Sequence, residues 1–120
     1  MASSVSNVKR AQKESQLFRE ISQLYMQASM DDPRLHGIFV NRVQLSPDKG
    51  LCTVFFYTAQ GEQYFSEMLH TLTLYKPSMR KALAAEIRGR YVPDLIFKFD
   101  TQFEKLQRIE HLIEQVKTEE

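Results

Sequence analysis

Apolar residues recur along this chain at two spacings, one helical and one strand-like. Leu17, Phe18, Ile21, Leu24, Tyr25 and Ala28 fall at i, i+1, i+4, i+7, i+8 and i+11, which is one buried stripe of a helix. Pro33 biases Asp32 away from helical geometry, so that helix is expected to end within MDDPRLHG. GIFVNRVQL and LCTVFFYTA follow, rich in Val, Phe, Thr and Tyr, and read as strands. The polar stretch SPDKG between them predicts an antiparallel hairpin. The second run is apolar at odd and even positions alike, which predicts a central strand covered on both faces.

A second helical stripe carries Tyr64, Phe65, Met68, Leu69 and Leu72 and breaks at YKPS. Pro77 disfavours helical geometry at Lys76 but suits the first turn of a new helix. That helix is expected to bury Met79, Leu83 and Ile87 and to end at Gly89. VPDLIFKFD reads as a strand, with Leu95, Phe97 and Phe99 on one side and Lys98 on the other. A last helix starts at DTQFE, where Asp100 or Thr101 can cap and Glu104 completes a capping-box pattern. Its stripe of Phe103, Leu106, Ile109, Leu112, Ile113 and Val116 is expected to be buried. The fold class is therefore α+β, a three-stranded sheet with its helices on one face. The expected organisation is a flexible tail over residues 1–8, one domain over 9–117 and a short tail over 118–120.

Composition fits a single packed domain, since 120 residues support one ordinary core. No apolar run approaches the roughly 18 residues of a membrane span, and no signal-peptide pattern follows the start. The one cysteine, Cys52, lies in an apolar run and reads as a small buried hydrophobe in a reducing, cytoplasmic setting. His36, His70 and His111 are far apart and lack cysteine companions, so no metal site is expected. His70 is expected to be partly buried and His111 exposed. No nucleophile, phosphate-loop or dinucleotide motif occurs, and neither catalytic residues nor a cofactor are expected. Binding is favoured over enzymatic activity.

Charge changes that picture. Net charge is +1, yet Lys76, Arg80, Lys81, Arg88 and Arg90 crowd one segment whose only anion is Glu86. With successive helical residues about 100° apart, Arg80, Ala84, Arg88 and Lys81 share about 100° of arc, opposite Met79, Leu83 and Ile87. Glu86 falls on the apolar side of the same helix. A cation stripe around a small residue is a footprint for a nucleic-acid backbone. Free amides at the start of that helix, near Ser78, would add to it. Lys9, Arg10 and Lys13 form a second cationic group. On charge alone, a solvated amphipathic helix accounts for the stripe equally well. Neither group interleaves with aromatics, so contacts to phosphate and shape are expected rather than base stacking.

Four blocks carry a resemblance: DPRL; VQLSPDKGLCTVFFY; MRKALAAEIRGRYVPDLIFKFD; and RIEHLIEQV. In order and spacing, over residues 10–116, they resemble the ribosome-binding factor A family. The most specific elements are R-x-V-P-[DE]-L-x-F-x-x-D at 90–100 and L-S-x-D at 45–48. The resemblance implies a type II KH-like fold and a non-enzymatic assembly factor, bacterial or organellar, that binds the small (30S) ribosomal subunit and its 16S rRNA. It further implies action in late maturation and 5′-end rRNA processing, and importance for growth in the cold. A cytoplasmic monomer that contacts rRNA, and some ribosomal proteins, is expected. The candidate RNA-binding residues are Lys76, Arg80, Lys81, Arg88 and Arg90, helped by Lys9, Arg10 and Lys13. The family bends between its two middle helices at A-x-G, where this chain has Tyr75, Lys76 and Pro77. Pro77 is expected to impose the bend through its restricted φ and missing donor. No two of Gly37, Gly50, Gly61 and Gly89 are three apart, so the G-x-x-G clamp of ordinary KH domains is absent. The alternative reading is a KH-like protein–protein adaptor that does not contact RNA.

Overall fold

The computed structural model describes residues 2–87 and 92–119, and only the backbone of residues 2–6 and 119. Helix α1 (Ala2–Asp31) leads through a single 3-10 turn (Pro33–Leu35) into strands β1 (Ile38–Leu45) and β2 (Leu51–Thr58). Helices α2 (Glu62–Leu74) and α3 (Lys76–Glu86), strand β3 (Asp94–Phe99) and helix α4 (Thr101–Glu119) follow. This is the expected α+β order. Residues 2–8, expected as a tail, continue α1, and α4 runs past the expected boundary at 117.

Local chemistry sets the joints. Asp32, ahead of Pro33, is extended (φ −128°, ψ 98°), and its side chain caps the 3-10 turn by accepting from the Arg34 N–H at 3.1 Å. In the hairpin turn, the Ser46 hydroxyl donates to Asp48 Oδ1 (2.6 Å) and accepts from the Leu51 N–H (3.0 Å). Asp48 Oδ1 also accepts from the Gly50 N–H at 2.9 Å. The sheet order is β1-β2-β3, with β1 antiparallel and β3 parallel to β2. The parallel step is bridged by α2 and α3, as a crossover requires.

A bulge interrupts β1 at Asn41, where the register passes from Val40 opposite Phe56 to Arg42 opposite Phe55. The extra residue switches which parity faces inward. Ile38 and Val40 point into the core before it, and Val43 and Leu45 after it.

Helices α1, α2 and α3 cover one face of the sheet. Leu17, Ile21, Leu35, Val54, Phe56, Leu72, Leu83 and Leu95 are sealed from solvent between the layers. Phe56 is the hub, with ring centroids of Tyr25, Phe65 and Phe97 at 5.2, 5.8 and 5.1 Å. The Tyr25 hydroxyl donates to the backbone oxygen of Ile38 at 2.9 Å, so its polar end is satisfied inside the core.

Several expectations need correction. Strand β2 is central, but among the described residues no layer covers its second face. Cys52, Val54, Phe56 and Thr58 are buried, whereas Thr53, Phe55 and Tyr57 are half-buried and Leu51 exposed. The Arg42 guanidinium lies 3.7 Å over the Phe55 ring, and Phe103 meets Tyr57 edge-on at 4.7 Å. These side chains give the outer face the partial cover that its apolar residues had suggested.

The stripe of α4 is not buried. Leu106, Ile109, Leu112, Ile113 and Val116 are 51–59% exposed, and only Phe103, in the first turn, is half-buried. Periodicity identifies an amphipathic helix without saying what covers its apolar face. Asp100 is the cap, accepting from the Phe103 N–H at 3.1 Å. Glu104 pairs with Arg108 rather than closing a capping box. Helix α3 ends at Glu86, and Ile87 turns extended (φ −93°, ψ 116°) while staying buried. The expected cap at Gly89 lies outside the described residues. His70 is exposed, against expectation, and Glu86 reaches solvent from the apolar side of α3.

Candidate nucleic-acid interface

The bend that starts the basic helix sits at Tyr75, one residue before the place Pro77 suggested. Tyr75 is helical in φ and ψ (−84°, −11°), and its N–H donates to Leu72 O at 3.1 Å. That tightens the last turn of α2. The Met79 N–H then donates to Tyr75 O at 3.0 Å, and α3 is under way. Pro77 falls in its first turn, where a missing donor leaves no intrahelical bond unmade.

Tyr75 does more than fill the bend. Its hydroxyl donates to Asp32 Oδ2 at 2.6 Å, across 43 positions of sequence. The same carboxylate accepts from Arg34 Nε (2.9 Å) and Nη2 (2.7 Å). Those Arg34 bonds, then the Tyr75 bond, hold the Asp32 carboxyl well below the usual carboxylate range, against the opposing pull of burial. Tyr75 itself is pushed up, because ionising it would lose its bond to the Asp32 anion. The α2–α3 junction is thereby tied to the chain leaving α1. Arg34 faces its own counter-ion instead of adding to the cationic surface.

The predicted cations divide in their surroundings. Arg80 and Lys81 are exposed with Ala84 on the outer side of α3, while Met79 and Leu83 are buried on its inner side. Arg80 Nε is 3.8 Å from Asp94 Oδ1, with both side chains open to water, a pairing of little energetic weight that an incoming phosphate can displace. Lys81 makes no ion pair among the described residues. Lys76 is half-buried, and its ammonium lies 5.2 Å from the Phe97 ring centroid, so part of its charge is engaged inward. Arg88 and Arg90 lie outside the described residues.

On α1, Lys9 is exposed, Lys13 half-buried, and Arg10 Nε 4.0 Å from Glu14. Arg10 also lines a groove with Ser46, Pro47 and Leu51 of the hairpin. Asp94, the partner of Arg80, donates its N–H to Gly50 O in that same turn. Arg80 and Arg10 are thus both linked to the hairpin-turn end of the sheet, which gathers parts of the two cationic groups at one end of the molecule.

Among the described residues, no three His, Cys, Asp or Glu side chains are gathered as a metal would require. Burial pushes the Cys52 thiol up to about 12, so it stays protonated at neutral pH. His36 Nε2 lies 2.9 Å from Ser29 O, at a surface turn. The chemistry this surface offers is cation-to-anion contact.

Sequence reasoning missed a second network. Arg42 and Asn41, at the bulge, donate to Asp100: Arg42 Nε at 2.8 Å and Asn41 Nδ2 at 2.9 Å to one oxygen, Arg42 Nη2 at 3.2 Å to the other. The loss of strict alternation across Val40, Asn41 and Arg42 was the available signal.

Comparison with known proteins accords with this geometry. Residues 9–113 match the family model described as Ribosome-binding factor A. A ribosome-binding factor A of Syntrophus aciditrophicus is 32% identical over 117 residues, covering 97% of this chain and 94% of that protein. The crystal structure of ribosome-binding factor A from Thermus thermophilus superposes with a TM-score of 0.63 at 31% identity, covering 75% of this chain and 93% of that one. A homology model of the Thermus thermophilus factor, fitted into a cryo-EM map of a 30S–RbfA complex, gives 0.56 at 32% identity and covers 70% and 87%. With the family's sequence blocks, its order of elements and its fold all present in one chain, this protein belongs to the ribosome-binding factor A family.

Proposed function

We propose that this chain is a non-enzymatic assembly factor that binds the small ribosomal subunit, meeting 16S rRNA phosphates with the outer face of α3. It acts in late maturation and 5′-end rRNA processing, as a monomer in the cytoplasm. The observation that carries the reading is the likeness to a family member fitted into a 30S complex, over 70% of this chain. The exposed Arg80 and Lys81 beside small Ala84 support the contact surface, since a backbone can approach closely there. Lys76 contributes less than Arg80 and Lys81, being drawn toward Phe97. Arg88, Arg90, Lys9, Arg10 and Lys13 extend the same contact.

The test is co-sedimentation with purified small subunits. Replacing Arg80, Lys81 and Arg88 by glutamate is expected to abolish salt-sensitive binding while thermal unfolding stays that of the parent. Unchanged binding would sink the site assignment. A protein–protein adaptor without RNA contact is the second reading, favoured by the bare apolar stripe of α4. Its signature is an affinity nearly flat with salt, because no counterions are released.

A further inference from the structure

Helix α4 carries an apolar face that nothing among the described residues covers. Its five aliphatics, Leu106, Ile109, Leu112, Ile113 and Val116, are each about half exposed. They recur at i, i+3, i+6, i+7 and i+10, the spacing with which one helix face enters an apolar groove. At its start the stripe joins Phe103, a helical neighbour of Leu106. Phe103 packs on Tyr57 at 4.7 Å, and Tyr57 on Phe39 at 5.7 Å. Phe39 is 46% exposed on β1. One apolar surface therefore runs from the outer sheet face along the helix, the kind of surface that marks an interaction site.

Chemistry decides the occupant. Between residues 101 and 118 glutamates and cations are equal in number, so RNA gains little there, and aliphatic side chains are not stacking platforms. A helix lying on a bilayer carries a polar face rich in Lys and Arg, which α4 lacks. A self-paired zipper needs about three to four heptads, and the stripe from Leu106 to Val116 spans fewer than two. A protein groove remains, and charge narrows it further. Glu110, Glu114 and Lys117 lie along one edge of the stripe, and none of the three makes an ion pair among the described residues. On the other edge Arg108 is held by Glu104 at 3.3 Å. With two glutamates to one lysine, the first edge is net acidic and complements a basic rim.

We infer that α4 docks through Leu106, Ile109, Ile113 and Val116 into an apolar, basic-rimmed groove on a protein of the small ribosomal subunit. This rests on the reading that the chain binds that subunit, and it adds a protein contact to the rRNA contact at α3.

The full chain is titrated against purified small subunits. Ile109→Gln with Ile113→Gln keeps good helix formers on an exposed face, so thermal unfolding should match the parent while binding weakens at least tenfold. Parental affinity in that variant overturns the inference. Glu110→Lys with Glu114→Lys separates the occupants by sign: a basic-rimmed protein predicts weaker binding, whereas tighter binding means rRNA and overturns it. A benzophenone side chain at position 113, irradiated on the subunit, should cross-link to a ribosomal protein. Cross-links to rRNA or to a second copy, or none, overturn the inference. If Lys81→Glu leaves binding unchanged while the glutamine variant loses it, the rRNA reading fails and the docking surface stands.

Discussion

Replacing Asp100 by asparagine is expected to destabilise the protein by about 3 kcal/mol at neutral pH. Asp100 is fully buried where β3 hands over to α4. Its carboxylate accepts two bonds from Arg42, one from Asn41 and one from the Phe103 N–H. Asparagine caps helices as well as aspartate does, so the Phe103 bond should survive and the loss isolates the ion pair. Removing one partner of a buried pair costs about 3–5 kcal/mol. The Arg42 side chain is 38% exposed and can partly rehydrate, which favours the lower end. For a chain of this length, about 3 kcal/mol lowers Tm by about 12 °C, read by circular dichroism at pH 7.

The effect should also depend on pH. Burial pushes the Asp100 carboxyl up, but the bonds from Arg42, Asn41 and the Phe103 N–H outweigh it and hold the group below its ordinary value. A folded pKa below the unfolded value of about 3.9 gives stability that is present above that value and lost as pH falls through the folded one. The gap between parent and variant should be widest near neutrality and close in acid. A variant Tm within about 3 °C of the parent at pH 7, or a gap constant down the acid range, would refute the reasoning.

Other perturbations probe separate parts of the structure. Leu83→Ala, at a fully buried position of α3, should lose about 2–5 kcal/mol in urea unfolding; a loss under about 1 kcal/mol would contradict its packing. Tyr75→Phe removes one donor from Asp32, whose NMR-monitored carboxyl should rise toward its ordinary value yet stay below it, because Arg34 remains. The stability tied to that carboxylate would then be smaller and be fully lost at a less acidic pH; an unmoved titration contradicts the bond. Cys52, buried and with its thiol pushed up to about 12, should resist iodoacetamide at pH 8 until the protein unfolds. Rapid labelling of the native protein would contradict that.

What the sequence revealed follows what is local. The stripe of Leu17, Ile21 and Tyr25 and the inward set of Leu95, Phe97 and Phe99 are periodic within one element, and the structure buries all six. The outward position of Arg80, Lys81 and Ala84 was likewise readable from one helix. Bonds between distant residues were not: nothing near Tyr75 in sequence announces Asp32, and nothing near Arg42 announces Asp100. The stripe of α4 was read correctly as amphipathic and wrongly as buried, since spacing is blind to the partner. Arg88 was placed on α3 by extrapolating the helical wheel; the described helix ends at Glu86, and Arg88 lies outside the described residues.

The central claim is that the outer face of α3 meets phosphate on the small ribosomal subunit. Its most direct test is the salt dependence of binding to purified small subunits, parent against Lys81→Glu. Phosphate contact predicts a linear fall of log K with log salt for the parent. The variant should bind more weakly, with a slope shallower by about one. Equal affinity and equal slope for the two proteins would contradict the claim.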